Sequence, residues 1–166
     1  VDLIADACAL PFPDGALDAI VMTDVFHHIP DPARFLAEAT RCIRPRGKIV
    51  MIEPWRTGWS EWVYTHLHHE PFVPDAGWTI PPSGPLSGAN GALPWIVFER
   101  DRRLFEERFP EWTIQRIVPM MPLAYMLSGG VSMRSLLPGG LYRLVRGGER
   151  VAEGRCSMFA LIELQR

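Results

Sequence analysis

The stretch from Leu17 to Glu53, LDAIVMTDVFHHIPDPARFLAEATRCIRPRGKIVMIE, constrains the fold more than any other part of this chain, because it reads as strand, turn, helix, turn, strand. Leu17 to Met22 is almost wholly apolar after Asp18, the pattern of a strand buried on both faces of a parallel sheet. The run ends at Thr23-Asp24. A helix is predicted from about Pro32 to Ile43, with Asp31 as N-cap, Pro32 in the first helical position, and Phe35, Leu36, Ala39 and Ile43 on one face. Pro45 and Gly47 stop it, and Lys48 to Ile52 resumes an apolar strand. Parallel strands joined in this way take a right-handed crossover, and sheets of this kind bind ligands beyond the carboxyl ends of their strands. Asp24 to His28 occupies such an end.

Upstream, Val1 to Ala5 reads as a short strand ending in Asp6-Ala7, and LPFPDG, Leu10 to Gly15, reads as a loop. The order D-A-x-x-L-P-F-x-D-x-x-x-D, apolar strand, Val25-Phe26-His27-His28-Ile29, helix, then R-P-x-G-x into a second apolar strand resembles the class I S-adenosylmethionine-dependent methyltransferases of the type 11 kind. The resemblance covers about residues 1–54 well and the rest in outline. It implies an α/β, Rossmann-like sheet of strand order 3-2-1-4-5-7-6, an antiparallel strand pair at the carboxyl end, and S-adenosylmethionine as cofactor. On that resemblance Asp6 holds the adenine amino group, Ala7 offers backbone contact, Leu10 and Phe12 flank the ring, and Asp24 and Val25 lie against the cofactor. For Asp6 and Asp24 a turn or loop cap is the competing role, and for Leu10 and Phe12 it is core packing. The family's Gly-rich loop and its ribose-binding acid have no match, so the chain is expected to be the carboxyl-terminal portion of the domain, truncated at its N-terminus with the first two strands missing. The strand at Val1 to Ala5 would then be cut off from the one at Leu17 to Met22.

With 166 residues, 48% of them apolar, the chain has material for one core, so 1–166 is read as a single partial domain. A net charge of −2 leaves no electrostatic footprint for nucleic acid and favours a small-molecule substrate. Cys8, Cys42 and Cys156 have no metal or redox spacing, which points to free thiols in a reducing, cytoplasmic setting. The late apolar run from Val118 to Leu137 is broken by prolines, glycines and Arg134, so no membrane span is expected. The unpaired sheet edge suggests a homodimer.

After Pro54 the composition shifts to Pro, Gly, Trp and His, and residues 55–93 are read as an irregular lid that recognises the acceptor, with a helix only from Ser60 to His69. A helix over about Pro94 to Phe109 and strands at Trp112 to Val118 and Cys156 to Leu164 follow, and 119–155 forms a second loop-and-helix wall to which Tyr125, Arg134 and Tyr142 belong. His27 and His28 are adjacent and expected to point apart, so no metal site is assigned. If the helix reaches Glu70, then His66, His69 and Glu70 share a face. His69 and Glu70, with His28 behind them, are the candidate catalytic bases for methyl transfer to a sugar, lipid-like or aromatic acceptor at oxygen, nitrogen or carbon. Two other readings stand beside this one: a non-catalytic interaction module built on a methyltransferase-like fragment, and a metal-dependent hydrolase using His66, His69 and Glu70.

Overall fold

The structure, a computed structural model, describes residues 3–85, 87–129, 138–149 and 154–166. Four strands form one sheet: β1 (Leu17–Thr23), β2 (Ile43–Pro54), β3 (Thr113–Met120) and β4 (Phe159–Gln165), in the order β1-β2-β4-β3. β1 and β2 are parallel, while β4 runs antiparallel to both β2 and β3. This is the 4-5-7-6 half of the expected order, including its antiparallel closing pair.

The crossover between β1 and β2 is α1 (Pro32–Cys42), and its start follows the predicted chemistry: Asp31 accepts a hydrogen bond from the Arg34 amide at 3.0 Å, and Pro32 fills the first position. Phe35, Leu36 and Ala39 are buried against the sheet face that carries Ile49 and Met51 from β2 and Ile162 and Leu164 from β4, cross-strand partners of each other. Gly47 lets β2 turn into register, since a Cβ there would sit 2.3 Å from Ile43 Cγ2 and 2.7 Å from the Asp18 carbonyl oxygen. On the other sheet face Glu163 of β4 pairs with Lys48 at 2.6 Å and Arg116 at 2.7 Å.

Residues 3–5 form no strand, contrary to expectation, and Val1 and Asp2 lie outside the described residues. A strand persists only when its backbone groups find a partner, and Ile4 is 92% exposed with no neighbouring strand beside it. β1 is likewise an edge, and Val21, read as doubly buried, is 73% exposed. The predicted helix over Pro94 to Phe109 is three pieces: α3 (Leu93–Trp95), a π-helical turn at Ile96–Arg100, and α4 (Arg102–Arg108). The wide turn closes with the Asp101 amide on the Ile96 carbonyl, and the Asp101 carboxylate accepts from Trp78 Nε1 at 2.9 Å.

Among the described residues between β2 and α3 there is one helix, α2 (Gly58–Leu67), opened by a reciprocal cap between Thr57 and Ser60. The rest of this segment is irregular yet well tied. Asn90 clamps both backbone groups of Val73, Ile80 donates to the Pro30 carbonyl, and Phe72, Trp78 and Ile80 are buried. Beyond β3 lie α5 (Ala124–Leu127) and α6 (Gly139–Gly148), the latter holding Tyr142; Arg134 lies outside the described residues. Among the described residues no helix is long and apolar enough to cross a membrane. Cys8 and Cys42 are buried, Cys156 is half-buried, and all three are free thiols.

Candidate functional site

A cavity of about 170 Å³ opens beyond the carboxyl ends of β1 and β2, the position expected for a ligand in a sheet of this topology. Asp24, His27, His28, His68, His69 and Glu70 line its polar part, and Tyr64, Phe72, Tyr125 and Phe159 its aromatic part.

The organising residue is Glu53, the penultimate residue of β2, which is fully buried. Its carboxylate accepts the amides of Val25 at 2.9 Å and Phe26 at 2.8 Å, and the His27 Nδ1–H at 2.7 Å. It thereby caps the single 3₁₀ turn at Phe26–His28, whose amide groups would otherwise be unsatisfied in the interior. The same bonds fix the ring of His27, leaving its Nε2 3.5 Å from Glu70 Oε2. Burial disfavours the His27 imidazolium, but the hydrogen bond and charge of Glu53, with Glu70 and Asp24 behind them, outweigh it and raise the pKa of His27 above its ordinary value. Sequence reasoning passed over Glu53. Its signal was a carboxylate closing an apolar strand at a sheet's ligand-binding end.

Glu70 is the second centre. His28 Nε2 lies 3.6 Å, His69 Nε2 3.7 Å and His68 Nδ1 4.0 Å from its carboxylate, so four imidazoles surround one carboxylate. His28 Nδ1 donates to the Gly88 carbonyl at 3.0 Å, which aims its Nε2 at Glu70. His68 accepts the Glu70 amide at Nδ1 and reaches the Tyr125 hydroxyl from Nε2 at 3.2 Å. Burial lowers the pKa of His68, in keeping with a neutral ring that accepts at one nitrogen and donates at the other. Burial also pushes the Tyr125 phenol up to about 12.

Two expectations about these histidines change. The helix stops at Leu67, where His68 takes an extended conformation (ψ 150°), so His66, His69 and Glu70 do not share a helical face. Pro71 disfavours helical backbone at Glu70, so Glu70 would not continue the helical face in any case. His66 stays out of the cavity: its Nδ1 bonds the Trp62 carbonyl at 2.8 Å and its ring stacks on Trp62. The hydrolase trio His66, His69 and Glu70 is therefore not assembled. Conversely, His27 and His28 do not diverge. In the tight turn their ring centres lie 4.1 Å apart and both present Nε2 to Glu70.

Of the residues assigned to the cofactor, Asp24 lines the cavity. Its φ of 54° places it in the left-handed region, its amide continues the ladder to the Ile52 carbonyl, and burial raises the pKa of its carboxylate. Asp6, Ala7, Leu10 and Val25 are not among the cavity-lining residues. Asp6 is exposed, and its carboxylate accepts the Cys8 amide at 2.8 Å. Ala7 and Leu10 are half-buried, and Leu10 donates its amide to Glu38. Arg41 pins this loop through the carbonyls of Leu10 and Phe12 and the Asp14 carboxylate. Val25 is partly exposed and held by Glu53. Tyr125 lines the cavity as read from the sequence, and Tyr142 does not.

Residues 2–51 match the sequence profile of a family described as a methyltransferase domain. The chain is 45% identical over 51 residues to the demethylmenaquinone methyltransferase of Thermus thermophilus, spanning 31% of this chain and 23% of that protein. It is 37% identical over 75 residues to the corresponding enzyme of Renibacterium salmoninarum, spanning 40% and 32%. Among solved structures it resembles geranyl diphosphate C-methyltransferase from Streptomyces coelicolor A3(2), at a TM-score of 0.52 and 14% identity, over 99% of this chain and 52% of that one. The chain thus spans less than a third of these curated relatives and about half of that structure. Residues 2–51 carry methyltransferase-domain sequence, and the chain has the class I S-adenosylmethionine-dependent methyltransferase fold.

Proposed function

We propose that this chain takes part in S-adenosylmethionine-dependent methyl transfer to a small-molecule acceptor bound in the cavity beside Glu70. The observation that carries the reading is the convergence of a carboxylate and four imidazoles on a cavity at the carboxyl ends of β1 and β2. The similar curated proteins named above are methyltransferases of demethylmenaquinone, a small molecule.

The residues present fit one side of the cofactor. The exposed Asp6 carboxylate, oriented by the Cys8 amide, suits the adenine amino group, with Ala7 and Leu10 close to it in the chain, and Val25 follows Asp24 at the end of β1. Asp24, at the cavity, suits the positive end. When bound, S-adenosylmethionine supplies an electrophilic methyl group, so the protein's work is alignment, exclusion of water and proton handling. Glu70 accepts the proton that the acceptor gives up, with His28 and His69 at its edge sharing the charge. His27, held by Glu53, and His68, tied to Tyr125, keep that carboxylate in place. The aromatic surfaces of Tyr64, Phe72 and Phe159 favour an acceptor with a flat or apolar body. Residues 55–93 act as the lid, and the short helices after β3 as the second wall.

The test is transfer of labelled methyl from S-adenosylmethionine to a panel of quinol, phenol and prenyl acceptors by the full-length protein. Turnover should fall by about 10²–10⁴-fold in Glu70→Gln, the range for loss of a general base. Unchanged turnover would remove Glu70 from that role.

A further inference from the structure

We infer that His27, His28 and Glu70 form a binding site for a late first-row divalent cation of the zinc type. The inference rests on side-chain geometry, and it describes a state in which Glu70 is a ligand to the ion instead of the proton acceptor proposed above.

Three observations carry it. The first is spacing. One ligand atom from each of His27, His28 and Glu70 lies within 4.8 Å of the others, with His27 Nε2 3.5 Å from Glu70 Oε2 and His28 Nε2 3.6 Å from Glu70 Oε1, so each ring faces one of the two carboxylate oxygens. An ion with N and O ligands at about 2.0–2.1 Å holds those atoms roughly 2.9 Å apart in octahedral and roughly 3.4 Å apart in tetrahedral geometry. The groups stand slightly wider than the tetrahedral value, and all four imidazoles are 3.5 Å or more from the carboxylate. Direct hydrogen bonds between ring and carboxylate would be markedly shorter.

The second observation is orientation. His27 donates Nδ1–H to the buried Glu53 carboxylate, and His28 donates Nδ1–H to the Gly88 carbonyl. Both rings are thus held with Nε2 facing Glu70, free to ligate once deprotonated. A carboxylate or carbonyl on the far nitrogen is the arrangement that fixes tautomer and direction in metal-ligating histidines, and it raises the basicity of the ligating atom.

The third is access. The three groups line an open cavity, with His28 and Glu70 partly exposed, so an ion has a path in and keeps coordination positions open toward Asp24 and Tyr125, which share that lining. Two imidazoles and one carboxylate with open positions form a donor set for zinc and its neighbours, whereas magnesium and calcium favour all-oxygen shells. In the cavity such an ion would draw an acceptor oxygen into place and lower its pKa.

The experiment is calorimetric titration of the metal-free, full-length protein with Zn²⁺ and, for its visible spectrum, Co²⁺. One ion per chain is expected, with Mg²⁺ at least about 100-fold weaker. His28→Ala and Glu70→Gln, at partly exposed positions, should each weaken Zn²⁺ binding by about 10–100-fold or more while circular dichroism stays unchanged. Should one variant not fold, the other alone decides. Failure to bind Zn²⁺, or binding that a folded variant leaves unaltered, would overturn the site. The titration uses metal-free protein without cofactor or acceptor, so its outcome does not depend on methyl transfer, and turnover of Glu70→Gln assayed with and without added Zn²⁺ separates loss of a ligand from loss of a base.

Discussion

Replacing Glu53 with alanine should destabilise the protein more than any comparable change at a polar residue. The carboxylate is fully buried and accepts two amides at 2.8–2.9 Å and the His27 ring at 2.7 Å. Removing it strands three buried donors, each costing about 1–3 kcal/mol, and opens a cavity beside Phe26. A loss of about 3–5 kcal/mol follows, the range seen when one partner of a buried charged pair is deleted. For a chain of this size that is roughly 6–20 °C in melting temperature. Glu53→Gln keeps one acceptor for the Val25 and Phe26 amides but turns an amide N–H₂ toward His27 Nδ1, and should cost about 1–3 kcal/mol. Urea unfolding followed by circular dichroism measures both. A loss below about 1 kcal/mol for Glu53→Ala would refute the claim that this carboxylate holds the turn.

Gly47→Ala should cost about 1–3 kcal/mol in the same assay, because the new Cβ meets Ile43 Cγ2 at 2.3 Å and two carbonyl oxygens at 2.7 and 2.9 Å. Trp112→Phe should cost about 1 kcal/mol through loss of the 2.7 Å bond from Trp112 Nε1 to Thr40, leaving that hydroxyl with its Leu36 carbonyl partner. Burial raises the pKa of Tyr64 well above the usual phenol value and that of Tyr125 to about 12. A pKa raised in the folded state means that unfolding releases protons above the unfolded value of about 10, so stability should fall as pH rises from about 10 to 12. Tyr125→Phe should reduce that slope, as read from denaturation midpoints across the range. The pair of ion contacts from Glu163 to Lys48 and Arg116 lowers the pKa of that carboxylate. Its contribution is present above the unfolded pKa and lost as pH falls through the folded one, so Glu163→Gln should flatten the acid limb of the same curve.

What the sequence made legible was local. α1 could be read because Asp31, Pro32 and the apolar stripe of Phe35, Leu36 and Ala39 all act within a few residues of one another. β3 and β4 were found to within a few residues because alternation is a local pattern. The failures share one cause, dependence on partners distant in the chain. Val1 to Ala5 has strand-like residues, but nothing pairs with residues 3–5, and a strand is a property of two segments. The site shows the same limit. Glu70, His69 and His28 could be selected by residue type, and all three line one cavity. That His27 joins them through Glu53, and that His66 does not, depends on where α2 ends and how His68 to Glu70 fold beneath the 3₁₀ turn.

The central claim is that the carboxyl ends of β1 and β2 serve a methyltransferase site, and calorimetric titration of the full-length protein with S-adenosylhomocysteine tests it most directly. Asp24→Asn is the informative variant, since asparagine tolerates the φ of 54° that alanine would not. Micromolar binding by the wild type, weakened about tenfold or more by Asp24→Asn and by Asp6→Ala, is the predicted result. No binding by the folded full-length protein, or affinity that both variants leave untouched, would contradict it.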